Sequence, residues 1–368
     1  MRIKRIRLTH VRIPLHEPFR ISNGEIAEKD GIVVAVESDG LTGFGESSPM
    51  AGSFYSADTP ASCWLQLCTQ LAPAMMDREF NNLDSASAAL DAMAGSNFAK
   101  VGIETALWDL EAQRLGLPLH RLLGATRDWA ESGLAVGLYD STTQLLDTIA
   151  KYLLDGYKRV KIKICPGHDV ELVRAVRARF GNIPLMTDAN ASYTIEHLPI
   201  FLELEKFGLL MYEQPLAGGA LEDSATLQRA LKTPICLDES LETFADLERA
   251  AALGSFKIAN IKIQRVGGFR NALRLYERCR QLGLSIWIGT MPELGIGQAQ
   301  GAAMAALEGC GYPTDVEASF RWFRDDIIDP FLEVHDGRIE CPSRPGLGYA
   351  INASKLERYQ VAHAVIAD

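Results

Sequence analysis

Two regimes of hydrophobic patterning divide the chain. Residues 1–50 alternate with a period of two. Ile3 to Ile13 forms one such run and Gly31 to Ser38 a second; Asp39-Gly40 signals a turn, and Leu41 to Glu46 continues as a third strand. Pro18 to Gly24 reads as a loop by composition, as does Ser47 to Ser56. The second loop carries Met50, Phe54 and Tyr55, which either anchor it or line a pocket. Helical periodicity then takes over. It predicts helices over Ser62 to Ala72, stopped by Pro73, over Asn82 to Met93, and over Asn97 to Leu115, ended by Gly116 and Pro118. Strands followed by helices predict an α+β domain over residues 1–125.

From Gly133 short apolar runs alternate with helical stretches. Strands are expected at Leu134 to Leu138, Arg159 to Ile164, Pro184 to Asp188, Leu209 to Glu213, Ile235 to Asp238, Ile258 to Lys262 and Ser285 to Gly289, with an eighth near Thr314 to Glu317. Helices are expected between them, from Thr142 to Leu154 through Gly297 to Leu307. The runs close on charge: Lys163, Asp188, Glu213, Asp238 and Lys262 follow one another at spacings of 25, 25, 25 and 24 residues. One strand, one helix and two loops fill that length, so the period reads as successive βα units. The expected fold is α/β, a modified TIM (β/α) barrel over 126–322 with an N-terminal α+β capping domain. The charges then lie at the carboxyl ends of the strands, where barrel active sites are built. The tail, 323–368, returns to strands at Phe331 to Val334 and Arg338 to Cys341, and is expected to pack back on the capping domain.

This placement has chemical content. Side chains alternate along a strand, so Lys161 and Lys163 point together into the barrel mouth. Asp188, Glu213 and Asp238 come from adjacent strands, and three converging carboxylates require a positive charge between them. A set of oxygens without His or Cys selects Mg2+ over zinc, with Mn2+ as the expected substitute. Strands two and six are diametrically opposed, so Lys163 and Lys262 are expected to face each other across a bound molecule. Two amines about one carbon suit removal of a proton next to a carboxylate, with the cation stabilising the resulting charge. Lys161 beside Lys163 is expected to lower the pKa of the base.

Composition narrows the partners. The formal charge of −10 argues against nucleic acid and anionic membranes, and no apolar run is long enough to span a bilayer. The basic N-terminus lacks the apolar core of a signal peptide, and seven scattered cysteines without a CxxC pair indicate reduced thiols; a cytoplasmic location is expected.

The motifs resemble those of the enolase superfamily, muconate-lactonizing-enzyme subgroup, over nearly the whole chain. They run from Gly102-Ile103-Glu104-Thr105-Ala106-Leu107-Trp108-Asp109 through Lys161-Ile162-Lys163, Asp188-Ala189-Asn190, Glu213-Gln214-Pro215 and Asp238-Glu239-Ser240 to Asn260-Ile261-Lys262 with Arg265-Val266-Gly267-Gly268. The resemblance implies Mg2+ on Asp188, Glu213 and Asp238, with Lys163 and Lys262 as the acid/base pair. It implies that Lys161 modulates Lys163 and touches the substrate carboxylate, with Asn190 and Glu239 behind the ligands. A mandelate-racemase-like arrangement needs a His after strand seven, where this chain has Gly289-Thr290-Met291-Pro292-Glu293. That stretch, Pro18-Phe19-Arg20 and the tail are similar to o-succinylbenzoate synthases and N-succinylamino-acid racemases, which implies substrate contacts from Arg20, Met291 and Glu293. The implied reaction is dehydration of a cyclohexadiene carboxylate in menaquinone synthesis, racemisation of an N-acylamino acid, or both. Thr290, Pro292 and the acidic Asp315-Val316-Glu317 depart from the pattern. The extra acid keeps a dipeptide epimerase open, since it could bind a substrate ammonium. A muconate-type cycloisomerase and a barrel that binds without catalysing remain as further alternatives. A small carboxylate substrate and a homo-oligomer are expected.

Overall fold

The computed structural model describes residues 1–368 apart from Ser53, Asp77 and Asp368. Its N-terminal half-sheet is a long hairpin, β1 (Arg5–Ile21) against β2 (Gly24–Ser38), followed by β3 (Leu41–Ser47). The segment read as a loop, Pro18 to Gly24, is therefore mostly strand. Phe19 pairs with Ile26, Arg20 with Glu25 and Ile21 with Gly24, after a register shift beyond Pro14. The polar run from Gly24 to Asp30 carries no apolar alternation, but cross-strand hydrogen bonding needs none.

Three helical stretches cover this sheet. Asn97–Leu115 ends on Gly116, whose φ of 66° is left-handed, as its glycine predicts. Asn82 caps Leu83–Asp91. The helix expected to stop before Pro73 runs on, as Pro60–Gln66, a π-turn over Leu67–Leu71, and Ala72–Met76. Ala72 N–H bonds five residues back to Leu67 O, so the wide turn absorbs the missing N–H of Pro73.

The second body is a curled parallel sheet. After β4 (Trp129–Glu131) come β5 (Leu134–Val136), β6 (Val160–Lys163), β7 (Leu185–Asp188), β8 (Tyr212–Glu213), β9 (Ile235–Leu237), β10 (Ile258–Ile261) and β11 (Ser285–Ile288). Strands β5 to β11 lie side by side in sequence order. The eighth position is not a regular strand. Residues 310–317 bridge both edges there, Cys310 to Ile286 and Thr314 to Ser132. Pro313 offers no N–H, and the Thr314 hydroxyl donates to Ile288 O at 2.6 Å. Met186, Met211, Cys236, Ile258 and Trp287 fill the interior below the strand tips.

The tail differs from expectation at Phe331 to Val334, which is not a strand. It contributes β12 (Ile328–Asp329), β13 (Arg338–Glu340), β14 (Ala350–Ile351) and β15 (Gln360–Ala367). β13 pairs with β4, and β15 pairs antiparallel with β1 along Arg5 to Val11.

Buried carboxylates of the first body cap helices of the second. Helix Phe269–Gln281 follows Gly268 and helix Gly295–Ala305 follows Leu294, neither of which has a capping side chain. Glu104 accepts from Phe269 N at 2.8 Å, Arg270 N at 3.1 Å and Trp108 Nε1 at 2.7 Å. Glu46, fully buried, accepts from Leu294 N at 2.8 Å and Gly297 N at 2.7 Å. A Cβ on Gly268 would stand 2.2 Å from Glu104 Oε2, so glycine is required for this approach.

Burial pushes the Glu104 carboxyl up to about 7, against the backbone hydrogen bonds that lower it. A carboxyl raised in the folded state binds its proton more readily there than in the unfolded chain. Its contribution is greatest below the unfolded pKa and is lost as pH rises through about 7. Glu104→Gln is expected to remove about 2 to 3 kcal/mol of the wild type's loss of stability across that window. Denaturant melts at several pH values measure this; an unchanged pH slope would refute it.

Candidate active site

The charged strand tips come together as the register requires. Lys163 pairs with Asp188 across β6 and β7, and Asp188 with Glu213 across β7 and β8. The chain reverses just past two of the tips through left-handed residues, Asn190 (φ 41°) and Ala191 (φ 62°) after Asp188, and Gln214 (φ 36°) after Glu213. Gln214 ties neighbouring tips together: its Oε1 accepts from Asp238 N at 2.9 Å and Ser240 N at 3.1 Å. Non-glycine residues in this conformation carry strain, which concentrates at functional sites.

Each carboxylate faces a cation of the chain. Lys163 Nζ donates to Asp188 Oδ2 at 2.5 Å. Lys262 Nζ donates to Asp238 Oδ2 at 2.9 Å, and Arg265 Nη2 to Asp238 Oδ1 at 2.5 Å. Lys161 lies 3.2 Å from Glu213 Oε2 without hydrogen-bond geometry, so that buried oxygen has no donor. Glu213 Oε1 accepts from Asn260 Nδ2 at 2.8 Å. Asn190 Nδ2 donates to Glu239 Oε1 at 3.0 Å.

Burial and then the Asp188 charge push the Glu213 carboxyl well above its usual range, with Lys161 opposing. Burial and the Asp238 charge do the same to Glu239. Burial would raise Asp238 too, but Arg265 and Lys262 outweigh it and hold Asp238 low. For Lys262, burial favours the neutral amine, yet Asp238 outweighs it and the ammonium is held above its ordinary value.

Lys161 is not simply the neighbour of Lys163. Its ammonium sits 5.1 Å over the Trp287 ring and donates to Asp315 Oδ2. Burial lowers its pKa, but Asp315, Glu213 and Asp188 together raise it further. Asp315 also accepts from the buried Arg159 at 2.8 Å. The acid that kept a substrate ammonium open is thus engaged by two cations of the chain itself.

Lys161, Lys163, Lys262 and Asn190 line one cavity, together with Phe19, Ile21, Met50, Tyr55, Met291 and Trp322. Met291 is placed as the sequence predicts. Arg20 is not: Phe19 and Ile21 line the cavity, while the Arg20 guanidinium meets the exposed Asp140 at 2.6 Å. Alternation along β1 puts Arg20 out of phase with its two neighbours. Glu293 is also placed elsewhere. It is buried, accepts from Met291 N at 2.8 Å and is pushed up to about 8 by burial and by Glu46. It holds the turn that presents Met291 and does not line the cavity.

Sequence reasoning left three contributors unassigned. Tyr55 OH bonds Lys262 Nζ and Arg265 Nη2, each at 3.1 Å, and Asp238 Oδ2 at 3.3 Å. Arg265, in a motif noted but given no role, neutralises Asp238. Trp322 stands 5.0 Å edge-on to Phe19.

Among the described residues, no three acidic, His or Cys side chains stand in a metal-holding arrangement, because lysines and arginines draw the carboxylate oxygens toward themselves. The donor set nevertheless suits a divalent ion. It offers three hard oxygens at neighbouring tips, and Glu213 Oε2 is buried without a hydrogen-bond donor.

Comparison with known proteins agrees with this architecture. Residues 3–124 match the mandelate racemase / muconate lactonizing enzyme N-terminal domain, and residues 144–355 the enolase C-terminal domain-like model. The chain is 41% identical over 358 residues to an o-succinylbenzoate synthase of Geobacillus kaustophilus, covering 97% of this chain and 96% of that one. It is 38% identical over 351 residues to an N-succinylamino acid racemase of Amycolatopsis, covering 95% of each. A solved enolase-superfamily structure from Listeria innocua superposes with a TM-score of 0.95 at 34% identity, over 100% of this chain and 99% of that one. Divalent-metal dependence is general in that superfamily. On these grounds the chain belongs to the mandelate racemase / muconate lactonizing enzyme family of the enolase superfamily.

Proposed function

We propose that this chain is a divalent-metal-dependent enzyme that removes the proton α to a substrate carboxylate, and that its reaction is the dehydration that forms o-succinylbenzoate. The observation that carries the reading is the order of the strand tips. Lys163 and Lys262 both line the cavity and are separated by the three strands that lead to Asp188, Glu213 and Asp238. Overall likeness to the synthases supports the choice of reaction.

In this reading Asp188, Glu213 and Asp238 hold Mg2+, with Mn2+ as substitute, and Asn190 and Glu239 brace them. The ion, when bound, stabilises negative charge developing on the substrate carboxylate. Lys163, as the neutral amine, would take the α-proton and could return it to the departing hydroxyl so that water leaves. Lys262, kept cationic beside Asp238, stays across the substrate as a charge in dehydration. Lys161, anchored on Trp287 and Asp315, presents a fixed positive charge to the carboxylate.

The same pair of lysines, one on each face of the α-carbon, would racemise an N-acylamino acid, and the Amycolatopsis relative favours that second activity. A dipeptide epimerase is disfavoured because Asp315 is already paired with Arg159 and Lys161. We also propose the division at residues 125 and 322, a homo-oligomeric assembly and a cytoplasmic location. No helix among the described residues is long and apolar enough to cross a membrane.

Lys163→Ala is expected to lower turnover at least about a hundredfold while Mg2+ binding, followed by calorimetry, persists. Retained turnover would remove Lys163 from the reaction. Treatment with EDTA should stop exchange of the α-proton of an N-succinylamino acid in D2O, and added Mg2+ or Mn2+ should restore it. Exchange that continues in the chelator would refute metal dependence. Arg20→Ala breaks only an exposed ion pair, so kcat/KM should change less than about threefold; a larger loss would return Arg20 to the substrate site.

A further inference from the structure

Buried polar atoms without partners are uncommon, and where one belongs to a cavity-lining residue it marks a place for a ligand atom. Among the described residues, two lining residues carry such an atom: Asn190 through Oδ1 and Trp322 through Nε1. Asn190 belongs to the charged strand tips. Trp322 does not.

Trp322 is 6% exposed. Its ring meets Phe19 at 78° and 5.0 Å, and the Arg321 guanidinium lies 4.9 Å from the ring centroid. The next residue, Phe323, bridges to Leu15 of β1, so the indole is fixed where the two bodies of the chain meet. Arg321 does not line the cavity: Nη2 donates to Ala135 O at 3.2 Å, and Nε, without a hydrogen-bond partner, lies 3.6 Å from Glu317 Oε2. Phe19, Ile21, Met50, Met291 and Pro292 supply the apolar part of the lining, and of these Phe19 packs on the indole. A single neutral N–H beside an aromatic neighbour suits a neutral carbonyl oxygen. It would not repay the desolvation of a whole carboxylate.

We propose that Trp322 is a specificity-determining residue: its indole N–H donates to the acyl carbonyl oxygen of the substrate and so selects carboxylates bearing an acyl group. This rests on the function proposed above. In o-succinylbenzoate the acceptor is the keto oxygen of the succinyl side chain.

The test uses the Mg2+-loaded full chain and two probes, o-succinylbenzoate and the analogue with CH2 in place of the ketone. Wild type should bind the ketone about tenfold more tightly by calorimetry, and Trp322→Phe, which keeps an aromatic wall, should reduce that preference to about twofold or less. In spectra of protein labelled with nitrogen-15 at tryptophan, the indole signal missing from Trp322→Phe should move with the ketone and not with the analogue. The two-ligand comparison on wild type does not depend on the variant folding. Equal binding of the probes by wild type, an unchanged preference in Trp322→Phe, or an unmoved indole signal would overturn the role of Trp322 and leave the proposed reaction standing. Failure of wild type to bind either probe would overturn both.

Discussion

Charge neutralisation at the barrel mouth is the constraint on which the rest depends. Arg159, Lys161, Lys163, Lys262 and Arg265 are interleaved with Asp188, Glu213, Asp238, Glu239 and Asp315 in a space nearly closed to solvent. Asp238 meets both Lys262 and Arg265, and Asp315 both Arg159 and Lys161, whereas the Lys163 ammonium meets Asp188, so removing Asp188 would leave a buried charge unpaired, which costs far more than the pair itself gains. The barrel supplies the spacing that makes the lattice possible. Parallel strands about five ångströms apart bring residues 25 positions distant in sequence into contact. The lattice in turn limits substitution at the tips, because each lysine is the counter-ion of a neighbouring carboxylate.

Much of this was legible in the sequence because period and chemistry coincide. An apolar run followed by a charge every 25 residues identifies strand, direction and tip at once, and Lys163, Asp188, Glu213, Asp238 and Lys262 are all found there. The helix Asn97–Leu115 has the limits its pattern predicts. What pattern could not carry was contact between distant segments. Arg20 looked like a substrate ligand until the hairpin pairing put it out of phase with Phe19. Glu293 reads by resemblance as a substrate contact, yet it is buried and accepts from Met291 N. Asp315 looked like a free acid because its partners, Arg159 and Lys161, lie some 150 residues earlier in sequence. Trp322 gave no signal, since a lone tryptophan near the end of a barrel reads as core.

The capping carboxylates show a similar limit. Helices beginning after Gly268 and Leu294 lack a residue able to accept from their first N–H groups. That deficiency is visible in the sequence. The remedy, Glu104 and Glu46, is visible only once both bodies are assembled. Because each acid satisfies backbone donors of the other body, the two are joined by directional bonds as well as by apolar contact.

The pairing of β15 with β1 has a consequence for biosynthesis. The strand Arg5 to Val11 obtains one of its two neighbours from residues 360–367, about 350 residues later in the sequence. Until then one edge of the nascent sheet stays open to other strands, a hazard during translation that a chaperone or rapid barrel closure must cover.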